Sequence, residues 1–281
     1  MPEVNASDVA QLRKLTGAGM MDCKTALVEN DGDLEAAKDW LRAKGLAGAS
    51  KRAGRAAEQG AVEVLVDGGV GAVVELTAET DFVAKNADFT ATVEALARLA
   101  VEAGTEELEE LEHEGTTVNQ HVAALAARLQ EHIVLGRVVL FETADGLLDG
   151  YKHPQNERYT IGVLVELGGV DPADAQAQAV AHDVALHVAS AAPRYLTRDD
   201  VPPAAVERER AIFEERTRNE GKPEAALAKI VDGRLNGFFK ENVLIEQPFV
   251  REPKQTVGQL VGQLGPDATV RRFARVKVGE D

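Results

Sequence analysis

Gly71-Ala72-Val73-Val74-Glu75-Leu76 and Gly162-Val163-Leu164-Val165-Glu166-Leu167 are near-copies of one another, and their agreement decides the fold class. Each is a Val-rich run of strand length ending in Glu-Leu. Ala61 to Val66 precedes the first copy, and the intervening Asp67-Gly68-Gly69 is a strong hairpin signal. Ile133 to Phe141, Leu147 to Lys152 and Tyr159 to Leu167 are the strand-like runs of the second copy. A loop and an apolar helix follow each: about Asp88 to Ala103, striped by Phe89, Val93, Leu96 and Ala97, and then Ala173 to Ser190. A further helix pattern spans Val118 to Leu129. The chain reads as a degenerate duplication of a strand–strand–helix unit, hence as an α+β fold built on antiparallel strands.

On the N-terminal side the period changes to that of helices. Helix one is expected from about Ser7 to Leu15, capped by Ser7 or Asp8, with Val9, Leu12 and Leu15 on one face. Thr16-Gly17-Ala18-Gly19 breaks it, and Met20-Met21 is expected near the apex of the connection. Helix two, about Asp22 to Glu29, turns Cys23, Ala26 and Leu27 inward. Asp33 can cap a third helix that buries Leu34, Ala37, Trp40 and Leu41 and stops at Gly45. On the C-terminal side, Pro193 and Pro202-Pro203 bracket a charged helical hairpin, Ala204 to Glu220 and Pro223 to Lys240, bending at Gly221-Lys222. Leu227, Ile230, Val231, Leu235 and Phe238 give its second arm an apolar seam. An extended segment, Val270 to Val278, follows.

Composition excludes several classes. A net charge of −16 argues against a general nucleic-acid binder, which needs clustered Lys and Arg. Residues 1–58 are neutral, with nine basic and nine acidic side chains, so the excess negatives lie beyond them. Glu102 to Glu114 holds seven Glu and no Lys or Arg, the pattern of a solvated helix end or loop. Lys44, Lys51, Arg52 and Arg55, among Gly45, Gly48 and Gly54, read as a flexible basic linker, with RNA contact as the sharper alternative. No run approaches the ~18 apolar residues of a membrane span. No basic segment followed by an apolar run opens the chain, and its lone cysteine, Cys23, cannot pair internally, so a cytoplasmic location is expected.

Enzymatic motifs fail. Gly17 to Thr25 resembles a phosphate-cradling loop, but Ala18 and Cys23 stand where its glycines belong and a helix precedes it instead of a strand. The six histidines show no metal-ligand spacing; His182 and His187 are five apart, and His187 lies on a stripe with Val180, Val184 and Ala191, in a core or an interface. No cofactor and no metal site is expected, and the chain is not expected to be an enzyme.

Thr80-Asp81-Phe82-Val83-Ala84-Lys85-Asn86 is the exception. The chain has one Trp, three Tyr and eight Phe, and Phe82 sits in the loop between strand and helix. The equivalent loop of the second copy, Gly168-Gly169-Val170-Asp171-Pro172, has no aromatic, so Phe82 is surplus if the two cores pack alike. Two readings stay open: Phe82 and Phe89, one heptad apart, both fill the core, or Phe82 is an exposed anchor on a rigid loop.

Along nearly its whole length the chain resembles the elongation factor Ts family. Leu12-Arg13-Lys14-Leu15-Thr16-Gly17-Ala18-Gly19-Met20-Met21-Asp22-Cys23-Lys24 and the Thr80 to Asn86 loop carry the resemblance most strongly. Ile161 to Val165, His187-Val188-Ala189, Gly221-Lys222-Pro223 and Gln247 to Val250 match more weakly. The resemblance implies a ubiquitin-associated-like helical module, a duplicated α+β core and a protruding coiled-coil hairpin. It divides the chain into a partner-docking module (1–45), a basic linker (46–59), a first core subdomain with the exchange loop (60–135), a second (136–200 and 241–281) and the hairpin (201–240). It further implies a cytoplasmic guanine-nucleotide exchange factor of translation elongation that binds the GTPase domain of elongation factor Tu and expels GDP. Thr80, Asp81, Phe82 and Val83 would dislodge the partner's magnesium, while Arg13, Met20 and Met21 would grip a surface helix. His153 is the expected core contact, although Pro154 to Tyr159 has the look of a local insertion. Many members carry an additional C-terminal helical module; this chain stops at Asp281, and that contact is expected to be absent. No nucleic-acid or membrane partner is expected, and a homodimer or two-plus-two complex stays open. The alternative from another class is an adaptor that binds ubiquitin-like domains through the Met20-Met21 surface.

Overall fold

The computed structural model describes residues 5–16, 18–52 and 54–280, and their side chains except those of 45–52. Gly17, a glycine of the expected helix break, lies outside the described residues. Three helices open the chain: α1 (Ala6–Thr16), α2 (Met20–Glu29) and α3 (Leu34–Arg52). Their shared core is Val9, Leu12, Cys23, Ala26, Leu27 and Ala37, with Leu34, Trp40 and Leu41 packed against it. Asn5, rather than Ser7 or Asp8, caps α1 by accepting the Asp8 amide at 2.7 Å. Leu15 is 58% exposed, because a three-residue spacing drifts off the face that Val9 and Leu12 share in a 3.6-residue helix. Met20 and Met21 lie in the first turn of α2, not at the apex of a turn. Asp33 caps α3 as expected, accepting the Ala36 amide at 3.0 Å.

The expected stop at Gly45 is corrected, since α3 runs on to Arg52. Glycine ends a helix only where the backbone turns left-handed; inside one it costs about 1 kcal/mol. The alanines at 43, 47 and 49 favour continuation. The basic segment is therefore largely helical in backbone, and the side chains of Lys51 and Arg52 lie outside those described.

Strands β1 (Gln59–Asp67) and β2 (Val70–Ala78) form the expected hairpin, with Asp67 opposite Val70 and Gly68 at φ +57°. A one-turn helix, α4 (Asp81–Ala84), leads into α5 (Ala87–Ala103). A minimal hairpin, β3 (Glu112–His113) with β4 (Thr116–Thr117), precedes α6 (Val118–Leu129) and β5 (Ile133–Glu142). Here the sequence reading needs correction: β5 pairs with β2, completing a sheet ordered β1-β2-β5, and does not belong to the second copy. Its apolar pattern suits either sheet, and pairing is decided by the neighbour it meets across α5 and α6.

The second sheet, ordered β10-β7-β6, comprises β6 (Leu147–Gln155), β7 (Arg158–Gly168) and, from the end of the chain, β10 (Thr269–Lys277). Pro154 to Tyr159 forms the tip of the β6–β7 hairpin, with Asn156 and Glu157 both at positive φ, 52° and 64°. Between β7 and β10 run α7 (Ala175–Ala191), the paired helices α8 (Pro203–Asn219) and α9 (Glu224–Asn242), a short hairpin β8 (Pro248–Phe249) with β9 (Glu252–Thr256), and α10 (Val257–Gly262). Leu227, Val231 and Leu235 form the buried seam of the helical pair against Val206, Phe213 and Phe239; Ile230 and Phe238 are only half-buried.

The core is layered. One face of the first sheet (Ala72, Val74, Leu76) packs on α5 and α6, and one face of the second (Val163, Val165, Leu167) packs on α7 and α10. The remaining faces meet through Val62, Val73, Phe141, Leu148, Leu164 and Val276. The two Val-rich sequence copies are the two central strands, β2 and β7. Their leading glycines are exchanged across the interface: a Cβ on Gly71 would lie 3.1 Å from Leu164 Cδ2, and one on Gly162 would lie 2.7 Å from Val73 Cγ1. Each glycine thus vacates the space that the other strand fills. The fold is α+β.

Candidate functional site

The Thr80 to Asn86 segment follows β2 and is held by groups that act as a continuation of its ladder. The last β2–β5 pair is Ala78 with Ile133. Just beyond it, the Glu79 carboxylate accepts the His132 amide at 2.7 Å, and the Glu131 carboxylate accepts the Thr80 amide at 3.0 Å. Each side chain thereby satisfies a backbone donor on the opposite strand end. The His132 amide is the main reason the Glu79 carboxyl lies below its ordinary range, with the Arg55 guanidinium at 3.2 Å adding to it. The Thr80 hydroxyl donates to Glu131 at 2.5 Å and accepts the Val83 amide at 3.4 Å, capping α4.

Within that turn, Ala84 is buried and Val83 packs against the first core. Lys85 donates to Asp81 at 2.9 Å, one helical turn away. This bond holds the Asp81 carboxyl below the ordinary carboxylate range, and the positive charge of Arg158 on β7 adds to the effect. Arg158 itself donates to Gln59 at 2.6 Å, while its buried Nε and Nη1 make no hydrogen bond among the described residues. Asn86 closes the segment by capping α5, accepting the Asp88 amide at 2.8 Å.

Phe82 projects from this framework. It is 81% exposed, whereas Phe89 is fully buried; the reading in which both fill the core fails. A bulky aromatic on a turn whose every neighbour is anchored is chemically inert. It can act only by shape and apolar contact, as a wedge or an anchor.

The other expected contacts lie elsewhere. In the helical module, Met20 and Met21 are 57% and 70% exposed in the first turn of α2, and Arg13 is exposed on α1. The module rests on α6: Arg42 donates to Gln120 at 2.9 Å, and Leu15, Leu41, Ala123 and Ala124 line a groove between them. The segment just past the far end of α6 supplies Glu131, so one helix supports the module and leads into the anchor of the loop. His153 is exposed on β6, its Nδ1 sharing a 2.9 Å hydrogen bond with the Tyr151 hydroxyl. His187 is fully buried, bonded to Gln247 at 2.8 Å and to the Val250 amide at 3.2 Å, a core residue. Glu79, Glu131 and Arg158 were missed by sequence reasoning; only the Asp81–Lys85 spacing, i to i+4, gave any sign of the turn.

Comparison with known proteins places the whole chain beside one family. A family described as elongation factor TS matches residues 79–280. Elongation factor Ts of Micrococcus luteus is 46% identical over 284 residues, covering 99% of this chain and 100% of that protein. The protein of the same name from Streptomyces avermitilis is 47% identical over 292 residues, with 99% and 100% covered. That of Mycobacterium avium is 46% identical over 285 residues, with both chains fully covered.

Proposed function

The chain belongs to the elongation factor Ts family of translation elongation factors, and from that premise we propose that it binds GDP-loaded elongation factor Tu in the cytoplasm and promotes release of the nucleotide. The observation that carries the reading is the exposure of Phe82 on an anchored one-turn helix. Thr80 and Val83 fix the turn, Asp81 keeps its charge through Lys85, and Phe82 intrudes near the partner's magnesium site. The wedge need not touch the nucleotide. The magnesium neutralises phosphate charge, so displacing it weakens GDP binding through electrostatics. Factor and nucleotide then weaken one another reciprocally in a ternary complex.

Arg13, Met20 and Met21 supply docking affinity from the helical module, and His153 adds a contact from the β6 edge. No bond is made or broken by this chain, which acts on a partner GTPase and uses no cofactor. Release of a fluorescent GDP analogue from elongation factor Tu tests the proposal. Acceleration by catalytic amounts of the chain is expected. Unaccelerated release, with the two proteins shown to form a complex, would overturn it.

A further inference from the structure

Outside this site, the fold assembles a donor set that the sequence spacing concealed. The acidic stretch ends in the β3–β4 hairpin, whose two turn residues, Glu114 and Gly115, both have positive φ, 52° and 78°. Thr116 Oγ1 donates to the His113 carbonyl at 3.3 Å across the turn, and Thr117 then caps α6 by accepting the Gln120 amide at 3.3 Å. This tight reversal carries His121, one turn into α6, back over His113: their ring centroids are 4.9 Å apart, edge to face.

We propose that His113, Glu114 and His121 bind a divalent transition-metal ion, with Zn2+ the ion the donors suit best. One donor atom from each residue, two imidazole nitrogens and a carboxylate oxygen, lies within 4.8 Å of the others. Ligands at the usual ~2.0–2.1 Å from a tetrahedral Zn2+ stand about 3.4 Å apart, so small side-chain rotations close the set. Among the described residues no hydrogen bond joins these three side chains: His121 Nδ1 and Glu114 Oε2 are 3.7 Å apart, too far for one. Burial, with the neighbouring His113, holds the His121 imidazole below its ordinary pKa, which favours the neutral ligand form over a charged ion pair.

Two imidazoles disfavour Mg2+ and Ca2+, which prefer all-oxygen shells, and match borderline ions instead. His113 and His121 are half-buried and Glu114 is exposed, leaving a solvent-facing fourth position for water. Nearby Glu109, Glu110 and Glu112 add a field that draws cations. An ion here would staple the β3–β4 hairpin to α6. His121 lies roughly 15 Å along the helix direction from Glu131, so the staple would act on stability and not on the Phe82 turn.

The test is titration of Zn2+ into the chelator-stripped full chain by calorimetry, with Co2+ absorbance as a second measure. One equivalent should bind, and Co2+ should give ligand-field bands without a thiolate charge-transfer band. His113→Ala and His121→Ala should each weaken binding by at least about tenfold, and Glu114→Gln should weaken it less. Zn2+ should raise the melting temperature of the wild-type chain and not that of the variants. Circular dichroism checks that each variant is folded, and His113→Gln replaces any that is not. Substoichiometric binding, equal affinity in the variants, or equally strong Mg2+ binding would each overturn the proposal.

Discussion

Thr80 and Glu131, fifty-one positions apart in sequence, are joined twice: the Thr80 amide and hydroxyl both donate to the Glu131 carboxylate, at 3.0 and 2.5 Å. The bidentate grip turns the end of a β-ladder into a fixed platform. Glu131→Ala should therefore release the turn without unfolding the core. We expect a stability loss of about 1–2 kcal/mol, the scale of losing charge-assisted hydrogen bonds at a half-buried site. Nucleotide release at saturating factor should slow at least about threefold, equivalent to ~0.7 kcal/mol. Amide hydrogen exchange at Thr80 and Val83 gives the direct readout. Protection there equal to wild type would refute the platform role.

Phe82 separates shape from stability. A fully buried Phe truncated to Ala costs about 3–5 kcal/mol, but an exposed one costs within about 1 kcal/mol. Phe82→Ala should melt like the wild type, because the side chain is 81% exposed. Stimulated GDP release should fall by at least about tenfold, the effect of losing an aromatic hot spot worth about 2–4 kcal/mol. The defect should shrink when magnesium is chelated, since the step that Phe82 assists is then already accomplished. A variant that melts normally and exchanges normally would end the wedge assignment.

Met20 and Met21 are expected to act on affinity alone, being exposed on a separate helical unit. Replacing both with Ser should change stability by no more than about 0.5 kcal/mol each. The concentration of factor needed for half-maximal exchange should rise by at least about tenfold, while the maximal rate holds. A reduced maximal rate at unchanged half-saturation would assign these residues to the exchange step instead.

Much of this architecture is legible in the sequence because it depends on local periodicity. The β1–β2 hairpin, α6 and the helical hairpin follow directly from apolar spacing and from the glycines at 68 and 221, both at positive φ. The repeated glycine at 71 and 162 was visible, but its reason was not: the 2.7 Å approach to Val73 exists only once the sheets face each other. The sheet to which β5 belongs was misread, because one strand's pattern does not name its partner. In the loop, the duplication left Phe82 surplus yet undecided; only its exposure settles where it points. Glu79 and Glu131 were illegible, as are most long-range side-chain-to-backbone bonds, since nothing in their local sequence marks the amide they will meet.

The duplicated strands each bury a glutamate, Glu75 on β2 and Glu166 on β7, and the second sets a pH dependence of stability. Burial alone would raise the Glu166 pKa, but hydrogen bonds from Arg272 at 2.6 Å, from Thr143 and from Arg271 at 3.2 Å outweigh it and leave the carboxyl below its ordinary range. A folded-state pKa below the unfolded one means stabilisation that is complete above the unfolded carboxylate range, near pH 4.5, and lost as pH falls through the folded value. Glu166→Gln removes that linkage while keeping size and shape. Because both arginines are partly exposed, the cost at neutral pH should be about 1–3 kcal/mol, below that of a fully buried broken pair. Urea midpoints of wild type and variant should differ by a constant amount from pH 6 to 8. The gap should begin to narrow as pH falls below about 4.5 and close only once pH has passed through the lower folded value, where the wild-type carboxyl is protonated and both chains present a neutral group to Arg271 and Arg272. A gap that stays constant into acid would show that the loss comes from packing and not from charge.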